Sequence, residues 1–162
     1  MSSQTLSGIT VLDLTSYIAG PFGASLLGDL GANVIKVEGP SGDMMRNYPS
    51  TLVGESRAYV GVNRNKRGIV IDLKSKDGLE VIRRLIKKSD VIVHNFRPGV
   101  SRRLGLEYEQ LIDINPKIIY CGLTGFGEKG PMAGNPGFDQ VLQSLTGISQ
   151  AQGALENKPH VV

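Results

Sequence analysis

The sequence contains one cysteine, Cys121, and no tryptophan. A single cysteine cannot form a disulfide within the chain, so a disulfide-stapled secreted scaffold is excluded and a reducing compartment is favoured. Cys121 closes the short apolar run of residues 118–121, which predicts a thiol packed in the core rather than a nucleophile. Aromatic residues are scarce and do not alternate with the basic clusters, which argues against nucleic-acid binding.

The sequence also lacks long apolar runs and the short motifs that mark metal sites. No apolar stretch has the length of a membrane-spanning helix and no signal sequence opens the chain, which predicts a cytoplasmic protein that does not bind membranes. No Walker-type phosphate loop, HExxH pair or CxxC pair is present, so no metal site is expected.

One glycine motif matches a dinucleotide fingerprint in its letters only. Gly125, Gly127 and Gly130 have the GxGxxG spacing and follow a predicted strand. A dinucleotide site requires a helix directly after the motif, because the helix N-terminus holds the pyrophosphate. Pro131 and the further glycines and prolines up to residue 137 prevent such a helix, so the motif predicts a loop.

Residues 9–38, ITVLDLTSYIAGPFGASLLGDLGANVIKVE, predict one βαβ unit. Apolar residues 9–14 suit a buried strand, Pro21 suits the first turn of a helix, and Gly31 lies where that helix should end. Residues 34–37 predict the second strand. A right-handed crossover places the first loop at the carboxyl edge of the sheet, where α/β proteins bind ligands.

Strand and helix patterns alternate along the remaining chain, which predicts an α/β fold with a Rossmann-like parallel sheet and flanking helices. Further strands are predicted at residues 59–62, 69–73, 91–93 and 118–123, and helices at residues 76–88, 102–104, 108–114 and 138–146. Residues 63–68 are predicted as a polar loop and residues 158–162 as the start of an extended segment. Val141, Leu142 and Leu145 are expected to face the core.

Three polar side chains have modest chemical interest. Asp13 lies inside an apolar strand, where a carboxylate requires hydrogen bonds, and a structural role is favoured over a catalytic one. His94 and His160 are isolated histidines. His94 begins a loop at the end of a strand, so a plain loop residue is preferred over one that lines a pocket.

The loop of residues 95–99, NFRPG, with Arg102 and Arg103 behind it, is a stronger candidate. Phe96 offers a flat surface for an adenine ring, and guanidinium groups bind phosphate oxygens with two donors. The same residues also fit a loop with a solvated basic flank. Residue chemistry alone leaves both interpretations open.

Eight blocks in a fixed order resemble the N-terminal part of the family III CoA-transferases (CaiB/BaiF type, the formyl-CoA and carnitine-CoA transferase family). The blocks are LSGITVLDLT, AGPFGASLLGDLGANVIKVE, SGDMMR, NRNKRGIVIDLK, DVIVHNFRPGV, LGLEYEQL, NPKIIYCGLTGFGEKGP and GFDQVLQSLTG. The resemblance implies that residues 1–162 are the N-terminal portion of a CoA-binding large domain, without the second domain and C-terminal return segment. The chain most resembles succinate–hydroxymethylglutarate CoA-transferases, which implies dicarboxylic acyl groups.

The resemblance also implies which residues bind CoA, a substrate of the family rather than a tightly bound cofactor. These residues lie at or after the ends of three predicted strands and at the end of the long glycine-rich loop: Tyr17, Ile18, Ala19, Ile71, Asp72, Leu73, Lys74, Asn95, Phe96, Arg97, Arg103, Pro136, Gly137, Phe138 and Asp139. Lys74 is expected near phosphate and Arg103 at the nucleotide end.

Two positions depart from the family pattern. Gly39 replaces a CoA-binding arginine of some members, and Ile18 replaces a glutamine of formyl-CoA-type members, which argues against formate and oxalate as substrates.

In the family, an aspartate attacks the acyl-CoA thioester to give a mixed anhydride and CoA thiolate, and an enzyme-bound CoA thioester is then resolved by the acceptor acid. The resemblance implies that this aspartate lies shortly beyond Val162, so the chain itself has no catalytic residue. We therefore expect the chain alone to be inactive. We also expect it not to form the interlocked homodimer of full-length members.

Two alternative functions remain open. An α-methylacyl-CoA racemase would use a histidine to move a proton, but Phe138 occupies that position and cannot exchange one. The chain could also be a CoA-binding remnant with no catalytic activity.

Overall fold

The computed structural model describes residues 4–153, and the chain divides in sequence after Leu123 into two compact units. The first unit contains the predicted βαβ unit, and the second begins at Thr124. His160 and the extended segment predicted at residues 158–162 lie outside the described residues.

The first unit contains a five-stranded parallel sheet. Its strands are β1 (Thr10–Leu14), β2 (Asn33–Glu38), β3 (Lys66–Val70), β4 (Val91–His94) and β5 (Ile119–Gly122). Their order across the sheet is β3-β2-β1-β4-β5. The chain adds β2 and β3 on one side of β1 and then β4 and β5 on its other side, so the strand order reverses between β1 and β4. The predicted parallel α/β sheet is confirmed, and such a reversal point opens a crevice beyond the carboxyl ends of the strands.

Helices pack on both faces of this sheet. The helices of this unit are α1 (Ala19–Asp29), α2 (Arg57–Val62), α3 (Lys76–Ile86), α4 (Val100–Leu104) and α5 (Tyr108–Leu111), with a 3₁₀ helix at Met44–Asn47. Val11 clusters with Ala24 of α1, whereas Leu12 clusters with Ile82 and Ile86 of α3. Successive strand residues point to opposite faces, so β1 has a hydrophobic cluster on each side. The Rossmann-like arrangement is therefore confirmed.

Two predicted elements around residue 60 are wrong. Residues 59–62 belong to α2 rather than to a strand, because Ser56 caps the helix by accepting a hydrogen bond from the Tyr59 N–H at 3.3 Å. The third strand begins at Lys66 rather than at residue 69. β3 is an edge strand with largely exposed side chains, so its polar sequence lacks the apolar pattern of a buried strand.

Predictions of burial near the end of the chain also require correction. Cys121 is exposed, because β5 is the other edge strand of the sheet. The second unit contains α6 (Asp139–Leu145) and α7 (Ile148–Gln152), which confirms a helix near residues 138–146. Val141 and Leu145 are nevertheless exposed, and only Leu142 is partly buried. A seven-residue helix packed on the five-residue α7 has little surface to cover its apolar side chains.

Candidate functional site

A cavity of about 530 Å³ lies at the carboxyl edge of the sheet, within the first unit. Loops after four parallel strands meet there because parallel strands end at the same edge. The lining residues are Leu14, Thr15, Ser16, Lys36, Val37, Glu38, Gly39, Pro40, Ser41, Gly42, Asp43, Ile71, Asp72, Leu73, Lys74, Phe96, Val100 and Leu104. The departure at Gly39 therefore lies in the wall itself.

The segment after β3 contributes four of the residues predicted for CoA, Ile71, Asp72, Leu73 and Lys74. Asp72 fixes this turn, because its Oδ1 accepts the Lys74 N–H at 2.9 Å and its carbonyl accepts the Ser75 hydroxyl at 2.9 Å. Ser75 in turn caps α3 by accepting the Gly78 N–H at 2.9 Å. The same few residues thus form the cavity wall and start the following helix.

Phe96 lines the cavity from the loop after β4 and stacks on His94, with ring centroids 5.0 Å apart. His94 Nδ1 accepts the Phe96 N–H at 3.3 Å, so Nε2 of the neutral ring carries the proton and donates it to the Tyr120 hydroxyl at 2.5 Å. Burial lowers the pKa of His94, which favours this neutral form. The prediction of a plain loop residue is wrong: His94 is buried and supports Phe96.

The other residues predicted in the first unit are not among those that line the cavity: Tyr17, Ile18, Ala19, Asn95, Arg97 and Arg103. Arg97 and Arg103 are exposed and form no ion pair within residues 4–153. Arg102, by contrast, contacts Glu107 at 2.9 Å through Nε. Of the three guanidinium groups in and behind the NFRPG loop, those of Arg97 and Arg103 therefore keep an uncompensated charge.

The remaining predicted residues, Pro136, Gly137, Phe138 and Asp139, belong to the second unit. Gly137 packs so closely on Gly125 that a Cβ on either residue would lie 2.5 Å from the other's Cα. Phe138 is exposed and precedes α6. Asp139 is the first residue of α6 and accepts the Gln143 amide at 2.6 Å.

Four charged residues that the sequence analysis did not select, Lys36, Asp43, Lys66 and Glu38, take part in buried or half-buried ion pairs of the sheet and its loops. Lys36, in the middle of β2, is 1% exposed, and its Nζ lies 3.0 Å from Asp43 Oδ2. Lys66 Nζ lies 2.8 Å from Asp13 Oδ2, and both side chains are almost fully buried. Burial lowers the pKa of Lys66, and the neighbouring Asp13 opposes that shift. The hydrogen bonds expected of a buried Asp13 are present.

Glu38 is the fourth of these residues, and its charge is neutralised by Arg46. The guanidinium donates from Nε to Oε2 at 2.7 Å and from Nη2 to Oε1 at 2.8 Å, while the Tyr59 hydroxyl donates to Oε1 at 2.7 Å. The Arg46 hydrogen bonds lower the pKa of Glu38 to about 2. Arg46 is thereby engaged with Glu38 through two of its three guanidinium nitrogens.

One signal for these residues was visible in the sequence. Lys36 and Glu38 interrupt the apolar strand NVIKVE, and a charged side chain inside a buried strand requires a partner. Asp43 compensates the charge of Lys36, and Arg46 compensates that of Glu38. Lys74 is therefore the cavity-lining cation without an ion pair in the part of the chain that the structure describes. Such an ammonium can bind a phosphate group.

Within residues 4–153, no helix has both the length and the hydropathy needed to cross a membrane. The same residues contain no group of three or more His, Cys, Asp or Glu side chains suited to a metal ion.

Known proteins resemble this chain in sequence and in fold. It is 42% identical over 153 residues to the acetyl-CoA:oxalate CoA-transferase of Acetobacter aceti, an alignment that covers 94% of this chain and 39% of that protein. It is 43% identical over 158 residues to the human succinyl-CoA:glutarate CoA-transferase, covering 96% and 36%. A CAIB/BAIF family protein from Brucella suis superposes with a TM-score of 0.93 at 38% identity, covering 99% of this chain and 44% of that chain.

The chain thus spans less than half the length of these relatives. The sequence model of CoA-transferase family III matches residues 6–162, which is nearly the whole chain. Sequence, fold and family model agree, and the chain belongs to CoA-transferase family III.

Proposed function

We propose that the protein carrying this chain transfers coenzyme A between an acyl-CoA and a dicarboxylic acid, and that the cavity of the first unit holds the nucleotide end of CoA. The observation that carries this proposal is the cavity wall formed by residues 71–74 and Phe96, with the uncompensated ammonium of Lys74. A phosphate group is attracted to that ammonium, and an adenine ring can pack on the aromatic face of Phe96. Arg97 and Arg103 supply further positive charge for the phosphates.

The choice of a dicarboxylic acid is supported by the relatives. The human relative is named for succinyl-CoA and glutarate, and the Acetobacter relative for acetyl-CoA and oxalate. Ile18 argues against oxalate for this protein, and that remains a prediction. Glutarate, succinate and oxalate are therefore the acceptors to compare.

The proposed reaction follows the chemistry of the family. A carboxylate oxygen of the family's aspartate attacks the thioester carbon, the C–S bond breaks, and CoA leaves as a thiolate. The thiolate then attacks the aspartyl carbonyl of the anhydride, which releases the donor acid and leaves an enzyme–CoA thioester. The acceptor carboxylate takes over CoA through the reverse sequence. The part of this chain is to bind CoA, and the resemblance assigns Tyr17, Ile18 and Ala19 of the first unit to this ligand.

Calorimetric titration of the chain with CoA tests the binding step. We expect saturable binding, and we expect Lys74→Met to weaken it about tenfold or more because a charge-assisted contact to phosphate is lost. Lys88→Met is the matched control, since Lys88 is an exposed lysine beyond the C-terminal end of α3. Absence of binding at two temperatures, or an equal loss in both variants, would contradict the proposal.

A further inference from the structure

Asn95 connects the loop after β4 to the loop after β1 through two hydrogen bonds to one residue. Its Oδ1 accepts the Ser16 N–H at 2.9 Å, and its Nδ2 donates to the Ser16 carbonyl at 2.8 Å. Ser16 offers one backbone donor and one backbone acceptor, so only this orientation of the carboxamide satisfies both. The side chain thus reproduces the hydrogen-bond pattern of a strand neighbour at a point where the sheet has ended.

The residues on either side of Ser16 are held by a second, buried set of contacts. The Tyr17 N–H donates to Asp43 Oδ1 at 3.3 Å, and the Thr15 carbonyl accepts from Lys36 Nζ at 2.7 Å. Lys36 and Asp43 form the buried ion pair of β2, which ties both contacts to the sheet. Asp43 also caps the 3₁₀ helix through the Met45 N–H at 3.0 Å.

These contacts enclose a residue with an unusual backbone conformation. Tyr17 has a φ of +69°, in the left-handed region that residues other than glycine rarely occupy. A strained residue of this kind persists only where its surroundings fix it. Ile18 follows as the N-cap residue of α1, and Ala19 is the first residue of that helix.

We propose that Asn95 is a positioning residue for the acyl-CoA site, which clamps Ser16 and thereby presents residues 17–19 to the ligand. This inference rests on the proposed function, because it concerns the same CoA site. It changes the role predicted for Asn95 from a direct ligand contact to one exerted through the first loop. The Lys36–Asp43 pair holds the two residues on either side of Ser16, Thr15 and Tyr17.

Residue-resolved amide exchange of the chain, followed by NMR without ligand and combined with CoA affinity, tests this role. In Asn95→Leu we expect the protection of the Ser16 amide to fall about fivefold or more, with a smaller fall at Tyr17 and a parallel loss of CoA affinity. Asn115→Leu is the matched control, because Asn115 Nδ2 also bridges two backbone carbonyls, those of Ile86 and Ser89. We expect this control to leave Ser16 exchange and CoA affinity unchanged.

Asn95→Asp provides a second variant with nearly the same shape. Its carboxylate still accepts from the Ser16 N–H but repels the Ser16 carbonyl, and protonation restores the donor. We therefore expect the protection factor of Ser16, corrected for intrinsic exchange, to rise as the pH falls through the pKa of the introduced carboxyl. The wild type should show no such rise at Ser16.

Each further outcome has a distinct meaning. Lower CoA affinity with wild-type exchange at Ser16 would make Asn95 a direct ligand contact and overturn the inference. Faster exchange with unchanged affinity would also overturn it, because the clamp would then have no role in binding. If the wild type binds no CoA, the proposed function fails and the role in ligand binding fails with it, while the exchange data still show whether the clamp exists.

Discussion

The ion pairs of the first unit differ sharply between the buried side of the sheet and the outer helical surface. On the buried side, Lys66 and Asp13 have side chains no more than 2% exposed, and Lys66 Nζ also donates to the Pro21 carbonyl at 2.7 Å. On the surface, Arg84 contacts Glu80 at 3.0 Å with both side chains more than half exposed. The distances are similar, so the difference lies in the solvent that each pair has lost.

Desolvation explains why these pairs should have different roles. Moving two charges out of water costs about as much as their attraction returns, so a buried pair adds little net stability even though loss of one partner is severe. A surface pair costs little to form and contributes little. We infer that these buried pairs are present for geometry, because they connect β1, β2 and β3 to the first loop.

The largest expected effect is the loss of one buried partner. Lys66→Met should lower the free energy of unfolding by about 3–5 kcal/mol, because the buried Asp13 carboxyl group would lose the cation that compensates its burial. Urea denaturation with an unchanged m-value measures this loss. Replacing both residues, Lys66→Met with Asp13→Leu, should recover part of it. A single-variant loss below about 1 kcal/mol would mean that water already reaches the pair.

An intermediate effect is expected for Glu38 and Arg46, whose pair is buried on the carboxylate side only. The pKa of Glu38 is about 2 in the folded chain against the usual 4.5, so the unfolded chain binds the proton first as the pH falls. This contribution to stability is complete above about pH 4.5 and is lost as the pH falls towards 2.

Arg46→Met should therefore raise the pKa of Glu38 and flatten the acid side of the stability curve. We expect a loss of about 1–2 kcal/mol at neutral pH and a much smaller difference from wild type near pH 2. Urea unfolding between pH 2 and 7 measures both, with Arg84→Met as the exposed-arginine control. A variant curve parallel to that of wild type over this range would show that Arg46 does not set the Glu38 pKa.

The same contrast explains how much the sequence could predict. Apolar periodicity identified β1, α1, β2, α3 and β4, because their side chains face the two hydrophobic clusters. β3 was displaced in the prediction because it is an edge strand with polar residues. The site residues after β3 came from resemblance rather than from pattern. Sequence patterns did not reveal the buried ion pairs and the Asn95–Ser16 hydrogen bonds, because the partners are far apart in sequence. Lys66 and Asp13 are 53 positions apart, and Asn95 and Ser16 are 79 positions apart.

The backbone of Tyr17 shows a further limit of the sequence. Nothing in the letters TSYIAG indicates a tyrosine with positive φ, since glycine is the residue expected there. The loop that holds it is fixed by the hydrogen bonds from Tyr17 to Asp43 and from Ser16 to Asn95, whose partners are distant in sequence. Sites built on such long-range contacts are accessible to sequence only through a related protein.

The smallest effect is expected at the surface pair, where the comparison between buried and exposed ions is sharpest. Glu80 precedes Arg84 by one helical turn in α3, the favourable order for an i,i+4 pair, yet both side chains are largely in water. A double-mutant cycle with alanine at both positions should give a coupling energy of no more than about 0.5 kcal/mol, reduced further by 1 M salt. The same cycle at Lys66 and Asp13 should give a larger coupling that salt hardly changes, because ions do not penetrate the core. Equal couplings, or equal salt dependence, would mean that burial is not what separates these two regions of the molecule.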